Sequence, residues 1–172
     1  MNGRVRSEHS PGELDLPADV TVYAGEARVP AADVGIAVSR FNGEFTSALL
    51  SSALAELGRI GVPRDRVSVL VVPGAFELPA AAGTLARSGR YACVVALGCV
   101  IRGETAHFDF VAGEAAAGLQ RLAAETGIPV AFGVITAETA EQARARVGNG
   151  AAAVRAALET ADAFDRFGAA VS

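Results

Sequence analysis

The chain contains no lysine, and all 15 of its basic residues are arginine. That excludes any mechanism through a lysine Schiff base. It has only two cysteines, Cys93 and Cys99, too few for a disulfide framework. With no second Cys/His pair they make no zinc pattern either, so no metal site is expected. Cys93 falls in an apolar run and reads as inert core. No apolar stretch reaches membrane-spanning length without a Gly, a Pro or a charge, so no membrane partner is expected. The segment Met1 to Asp19 is charged, contains Pro and lacks an apolar core. It is therefore not read as a secretory signal, and the expected location is the cytoplasm. A net charge of −4 leaves no basic footprint for a nucleic acid. Histidine is scarce: only His9 and His107 are present.

Half of the 172 residues are hydrophobic and the mean hydropathy is +0.35, high for a monomer. The length suits one domain with a sizeable core. Residues 1–18 are expected to be a flexible leader and 19–172 a single domain. Strand-like and helical patterns alternate. Val20 to Tyr23 suggests a short strand, Val34 to Ser39 a longer one, and Thr46 to Ile60 a helix with apolar residues at helical spacing. Val67 to Val72 is a β-branched strand, followed by an Ala-rich helix over Leu78 to Arg87. A buried strand begins at Ala92, a helix covers Phe108 to Glu125, and Val130 to Ile135 is another strand. Glu138 to Arg146 reads as helical, Gly148-Asn149-Gly150 as a break, and Ala151 to Phe164 as the last helix. Such alternation implies an α/β fold with a parallel sheet covered on both faces.

The most informative stretch runs from Tyr91 to Phe110. The apolar strand ends at Gly98 and leads into a loop carrying Arg102, Gly103, Glu104, Thr105 and His107. Ligands bind at the carboxyl ends of strands in open α/β sheets, and the N–H groups of a helix start favour anions. Histidine is the residue type that titrates nearest neutral pH, which makes His107 the first candidate for proton transfer. The plain alternative is an Arg and a His in a solvated loop. Phe41, taken without any likeness, reads first as core. Glu77 reads equally as an acid in a helix's first turn, where the dipole favours it.

Four ordered motifs resemble the lumazine synthase family. They are Ser39-Arg40-Phe41-Asn42, the run Val72 to Pro79 (VPGAFELP), the run Gly98 to Phe108 (GCVIRGETAHF), and Pro129 to Thr136 (PVAFGVIT). Glu141-Gln142-Ala143, Arg146 and Gly148 follow. The likeness covers Val34 to Phe164. It implies a flavodoxin-like three-layer α/β/α sandwich with strand order 2-1-3-4, and an N-terminal strand added to a neighbour's sheet. It also implies condensation of 5-amino-6-(D-ribitylamino)uracil with 3,4-dihydroxy-2-butanone 4-phosphate, the penultimate step of riboflavin biosynthesis, with no cofactor. Carried over residue by residue, Phe41 stacks on the pyrimidinedione and Asn42 positions the ring or holds the turn. Ala75, Phe76 and Glu77 hold the ribityl chain, and Cys99, Val100 and Ile101 offer backbone contacts. His107 shuttles protons. The turn at Glu104 and Thr105 takes the phosphate. Arg146 and Phe132 arrive from a neighbouring subunit. The family unit is a homopentamer, in some members a 60-subunit shell, and riboflavin synthase is an implied partner.

Two departures from the family pattern concern the anion. The family's lysine-bearing stretch after Gly148 is shortened here to Gly148-Asn149-Gly150, and Glu104 puts a carboxylate in the turn that should receive phosphate. Arg102 or Arg144 is then the expected compensation. Alternatives open at this point are a paralogue or binding protein for a ribitylated pyrimidine with an altered phosphate site, and a shell-forming scaffold without activity. Cys99, where the family has Thr, reads as a small wall residue.

Overall fold

Apolar β-branched runs form a sheet because they bury side chains on both faces at once. The computed structural model describes residues 14–171. Among these, four parallel strands, β1 (Asp33–Ser39), β2 (Val67–Val72), β3 (Tyr91–Ile101) and β4 (Val130–Ala137), lie in the order β2-β1-β3-β4. Five helices cover the sheet: α1 (Gly43–Ile60), α2 (Leu78–Ala86), α3 (His107–Thr126), α4 (Ala140–Arg144) and α5 (Asn149–Val171). The expected fold and strand order are what the chain adopts. On one face Val34, Ile36, Val38, Cys93, Val95 and Leu97 pack against Leu57 of α1 and Val154 and Leu158 of α5. On the other, Ala37, Val94, Ala96 and Val134 meet Leu78 and Leu85 of α2 and Leu119 and Leu122 of α3.

Several element boundaries differ from the sequence reading, each for a tertiary reason. β3 does not stop at Gly98. It runs to Ile101 because β4 pairs alongside, Gly98 with Val134 and Ile101 with Ala137. Gly98 serves close packing instead of a turn: a Cβ there would sit 2.9 Å from Leu78 Cδ1. The break before the last helix lies at 145–148 rather than at Gly148–Gly150, so Arg146 stands in a turn and Gly150 inside α5. Gly150 is needed there because a Cβ would meet the Leu49 carbonyl of α1 at 2.1 Å. α5 continues past Phe164 to Val171, where Phe167 takes Tyr23 edge-on at 5.4 Å between ring centroids.

Val20 to Tyr23 is not a strand in the single chain. The segment beyond it is instead strapped to α5. Asp162, buried, accepts the Glu26 N–H at 2.9 Å and pairs with Arg28 and Arg166. Of the expected leader, residues 1–13 lie outside the described residues, and 14–18 hold no helix or strand.

Candidate active site

The carboxyl ends of β1, β2 and β3 open into a cleft of about 720 Å³, within the usual range for small-molecule sites. Each wall follows from a short connection. β1 ends at Ser39, and Arg40 and Phe41 donate their N–H groups to Val72 O at 2.8 Å and Pro73 O at 2.9 Å, tying this corner to the end of β2. Phe41 is left 69% exposed at the cleft mouth, so it is not core. Asn42 adopts the left-handed conformation, φ 57°, which Asn tolerates better than most residues. Its Nδ2 donates to the Cys99 carbonyl at 3.0 Å, and its own carbonyl accepts the N–H groups of Phe45 and Thr46 that open α1. Asn42 therefore holds the turn and joins β1 to β3.

After β2, Gly74 leads into a 3₁₀ turn, Ala75–Glu77. Glu77 Oε2 accepts the Gly74 N–H at 2.9 Å, which fixes the carboxylate on the cleft side of the turn. The second carboxylate oxygen makes no hydrogen bond to the described residues. Ala75 is buried and Phe76 exposed, and both line the cleft. From β3 come Cys99, Val100 and Ile101. The Cys99 side chain packs with Phe45, Leu49 and Ile135. Burial pushes its thiol up to about 11, and that of Cys93 to about 12. Neither forms a thiolate near neutral pH, so Cys99 is a wall and Cys93 is core.

The loop after β3 and the first turns of α3 close the site. Gly103, Thr105 and His107 line it, and Thr105 Oγ1 accepts the His107 N–H at 3.4 Å. Phe108, the last residue of the third motif, lines it too, as do Phe110 and Val111, which no motif singled out. Helical spacing was the available signal, since Phe110 and Val111 follow His107 by three and four residues and share its face.

Glu104, Phe132 and Arg146 do not line the cleft of this chain. Glu104 is exposed on the loop. Phe132 is 47% exposed on β4, and Arg146 folds back to donate to the Gln142 carbonyl at 2.8 Å. The two arginines expected to offset Glu104 are already engaged. Arg102 pairs with Glu138 at 2.8 Å and Asp109 at 3.0 Å, and Arg144 pairs with Glu44 at 2.8 Å. The cleft lining contains no Lys or Arg. An anion bound in one chain would therefore rely on N–H groups at the start of α3 and on His107.

A family model described as 6,7-dimethyl-8-ribityllumazine synthase matches residues 31–165. Proteins of that name from Yersinia pestis (strain Pestoides F) and Yersinia pseudotuberculosis serotype O:3 (strain YPIII) are each 49% identical over 146 residues, covering 81% of this chain and 94% of the relative.

Proposed function

From the premise that the chain belongs to the 6,7-dimethyl-8-ribityllumazine synthase family and catalyses the riboflavin-pathway condensation of 5-amino-6-(D-ribitylamino)uracil with 3,4-dihydroxy-2-butanone 4-phosphate, we propose that this reaction runs in the β1–β2–β3 cleft. The single observation that carries the site is convergence. Phe41, Asn42, Glu77, Thr105 and His107, from the segments that follow three separate strands, border one cavity with Val100 of β3.

In this reading the pyrimidinedione lies against Phe41, where offset stacking on an apolar face adds about 1 kcal/mol. Main-chain groups of Cys99, Val100 and Ile101 meet its polar edges. The ribityl hydroxyls donate to Glu77, with Ala75 and Phe76 forming the adjoining wall. The aromatic amine attacks the ketone and water leaves to give an imine. Phosphate is then eliminated, the enol that remains tautomerises to a second carbonyl, and that carbonyl condenses with the ribitylamine nitrogen, releasing a second water as the ring closes. The substrates carry the reactive groups, so orientation and proton movement are what the protein contributes. His107 moves the protons. The phosphate sits on the N–H groups of Glu104 and Thr105 beside the start of α3, with Arg146 supplied by a neighbouring subunit.

Phe132 closes the pocket from the same neighbour, which makes the working form a homo-oligomer, as a pentamer or a shell built of pentamers. Exposed Phe110, Phe132, Val69 and Val71 support this, because patches of this kind mark association surfaces. β2 is an edge strand of the sheet, and its unpaired edge suits an added strand from another subunit's Val20 to Tyr23. Action in the cytoplasm and association with riboflavin synthase complete the proposal. Among the described residues no helix is long and apolar enough to cross a membrane. The test is to incubate the purified protein with the two substrates and follow lumazine formation by absorbance. Absence of product under conditions where a Yersinia relative is active would sink the reading.

A further inference from the structure

Resting on this reading of the cleft, we propose that Arg102 is a positioning residue for His107: it clamps the first turn of α3 to the end of β4 and so sets where the imidazole stands. Arg102 follows the last residue of β3, and its N–H donates to Ala137 O at 2.9 Å. Its Nε reaches the two Glu138 oxygens at 2.8 and 3.1 Å. Its Nη1 and Nη2 reach Asp109 Oδ2 and Oδ1 at 3.2 and 3.0 Å. The guanidinium carbon lies 4.1 Å from the centre of the Phe108 ring. One planar cation therefore holds two carboxylates and an aromatic face, a combination that suits guanidinium and not an ammonium.

Phe108 and Val111 pack this end of α3 onto the core, but the loop that leads into His107 is loosely held. Residues 103–106 are exposed, and their one side-chain bond is the long contact from Thr105 to the His107 N–H. Asp109, two residues beyond His107, is where the helix is gripped. Glu138 is a firm anchor at the other end: its N–H donates to Gln142 Oε1 at 2.9 Å, and the Gln142 N–H is capped by Thr139 Oγ1 at 3.2 Å. Exposed ion pairs add little to overall stability. Displacing a reacting group by an ångström, in contrast, slows a reaction about 100-fold. The clamp's effect is therefore on geometry, and Arg102 is not a phosphate ligand, since its donors face its own chain's carboxylates.

The test compares wild type with Arg102→Gln, Arg102→Lys, Asp109→Asn, the Arg102→Gln/Asp109→Asn double variant and, as a remote control, Arg87→Gln, which breaks the exposed pair to Glu125. Steady-state kinetics are read beside histidine ring NMR, which is simple because the chain has only two histidines. Both Arg102 variants are expected to lower kcat about tenfold or more, with KM for the phosphorylated ketone within about threefold of wild type. Asp109→Asn lowers kcat in the same direction, and the double variant is no worse than the poorer single one, as coupled partners require. The His107 ring signals shift in all of these and stay put in Arg87→Gln. A raised KM that Lys restores would make Arg102 a phosphate contact and overturn the proposal. Unchanged kcat with unmoved ring signals would overturn it as well. If wild type forms no lumazine, the functional reading fails, and the ring signals alone still decide the clamp.

Discussion

At the scale of single residues, the proposed roles make His107 a proton carrier beside a phosphate site whose lining in one chain holds no Lys or Arg. General acid–base help is worth roughly 10²–10⁴-fold. The condensation is intrinsically facile, so His107→Ala should slow turnover at the low end of that range, about 10- to 100-fold. The oligomer should stay intact, because His107 is exposed and packs into no core. Full activity in His107→Ala would assign His107 a structural role instead. Arg102 and Arg144 are both held by carboxylates, and in the proposed site the phosphate therefore depends on Arg146 of a neighbouring subunit. Arg146→Ala should raise KM for the phosphorylated ketone far more than KM for the ribitylaminouracil. Glu104→Gln should lower it, since a unit charge about 5 Å away disfavours an anion by roughly 1 kcal/mol in water. Because Glu104 is exposed, added salt should shrink that difference. A loss of activity in Glu104→Gln would instead give the carboxylate a positive role.

At the scale of elements, α1 and α5 are the pair whose contact is least forgiving. Gly150 touches the α1 backbone, and Ser52 Oγ accepts the Ala151 N–H at 3.1 Å beside it. Gly150→Ala cannot be absorbed by a rotamer change, because the clash is with a carbonyl oxygen. We expect a cost of about 1–3 kcal/mol, seen as a fall of several degrees in Tm. A Tm equal to wild type would show that the helices slide apart freely.

The same pair is joined by Glu56, 7% exposed, which binds Arg59 of its own helix at 2.7 Å and Arg155 of α5 at 2.9 Å. The Arg59 guanidinium holds the Glu56 carboxyl down at about 2, against the upward push of burial and with help from Arg155. A carboxyl depressed in the folded state contributes stability that is fully present above its ordinary value of 4.5 and is lost as pH falls toward 2. Tm should therefore decline across that window. Glu56→Gln should start lower and show a flatter decline there; an identical slope in both proteins would show that Glu56 is not the titrating group.

At the scale of the whole molecule, the prediction is association with shared sites. Light scattering at micromolar concentration should give a pentamer or a multiple of it, and a monomer would remove the shared-site argument. A sharper check mixes two impaired variants, His107→Ala and Arg146→Ala, after dissociation and reassembly. If His107 and Arg146 at one site come from different subunits, random reassembly restores about a quarter of the sites. If both came from the same chain, mixing would restore none.

The sequence by itself determined the layers, the strands and the motifs. Periodicity is local, and a run such as Val34 to Ser39 can satisfy its side chains only as a strand buried between helices. The ordered loops after β1, β2 and β3 were also legible, since turn residues and aromatics stand next to the strands they follow. What only the tertiary structure decided depends on pairs far apart in the chain. Asn42 turns left-handed and bonds to Cys99, 57 residues away. Residues 23–28 are drawn onto α5 by Asp162, so Val20 to Tyr23 forms no strand within its own chain. β3 outruns Gly98 because β4 lies beside it. Arg102, legible as a cation in a loop, becomes a clamp only when folding brings Glu138 and Asp109 within reach, because an ion pair is set by distance in space and not by spacing along the chain.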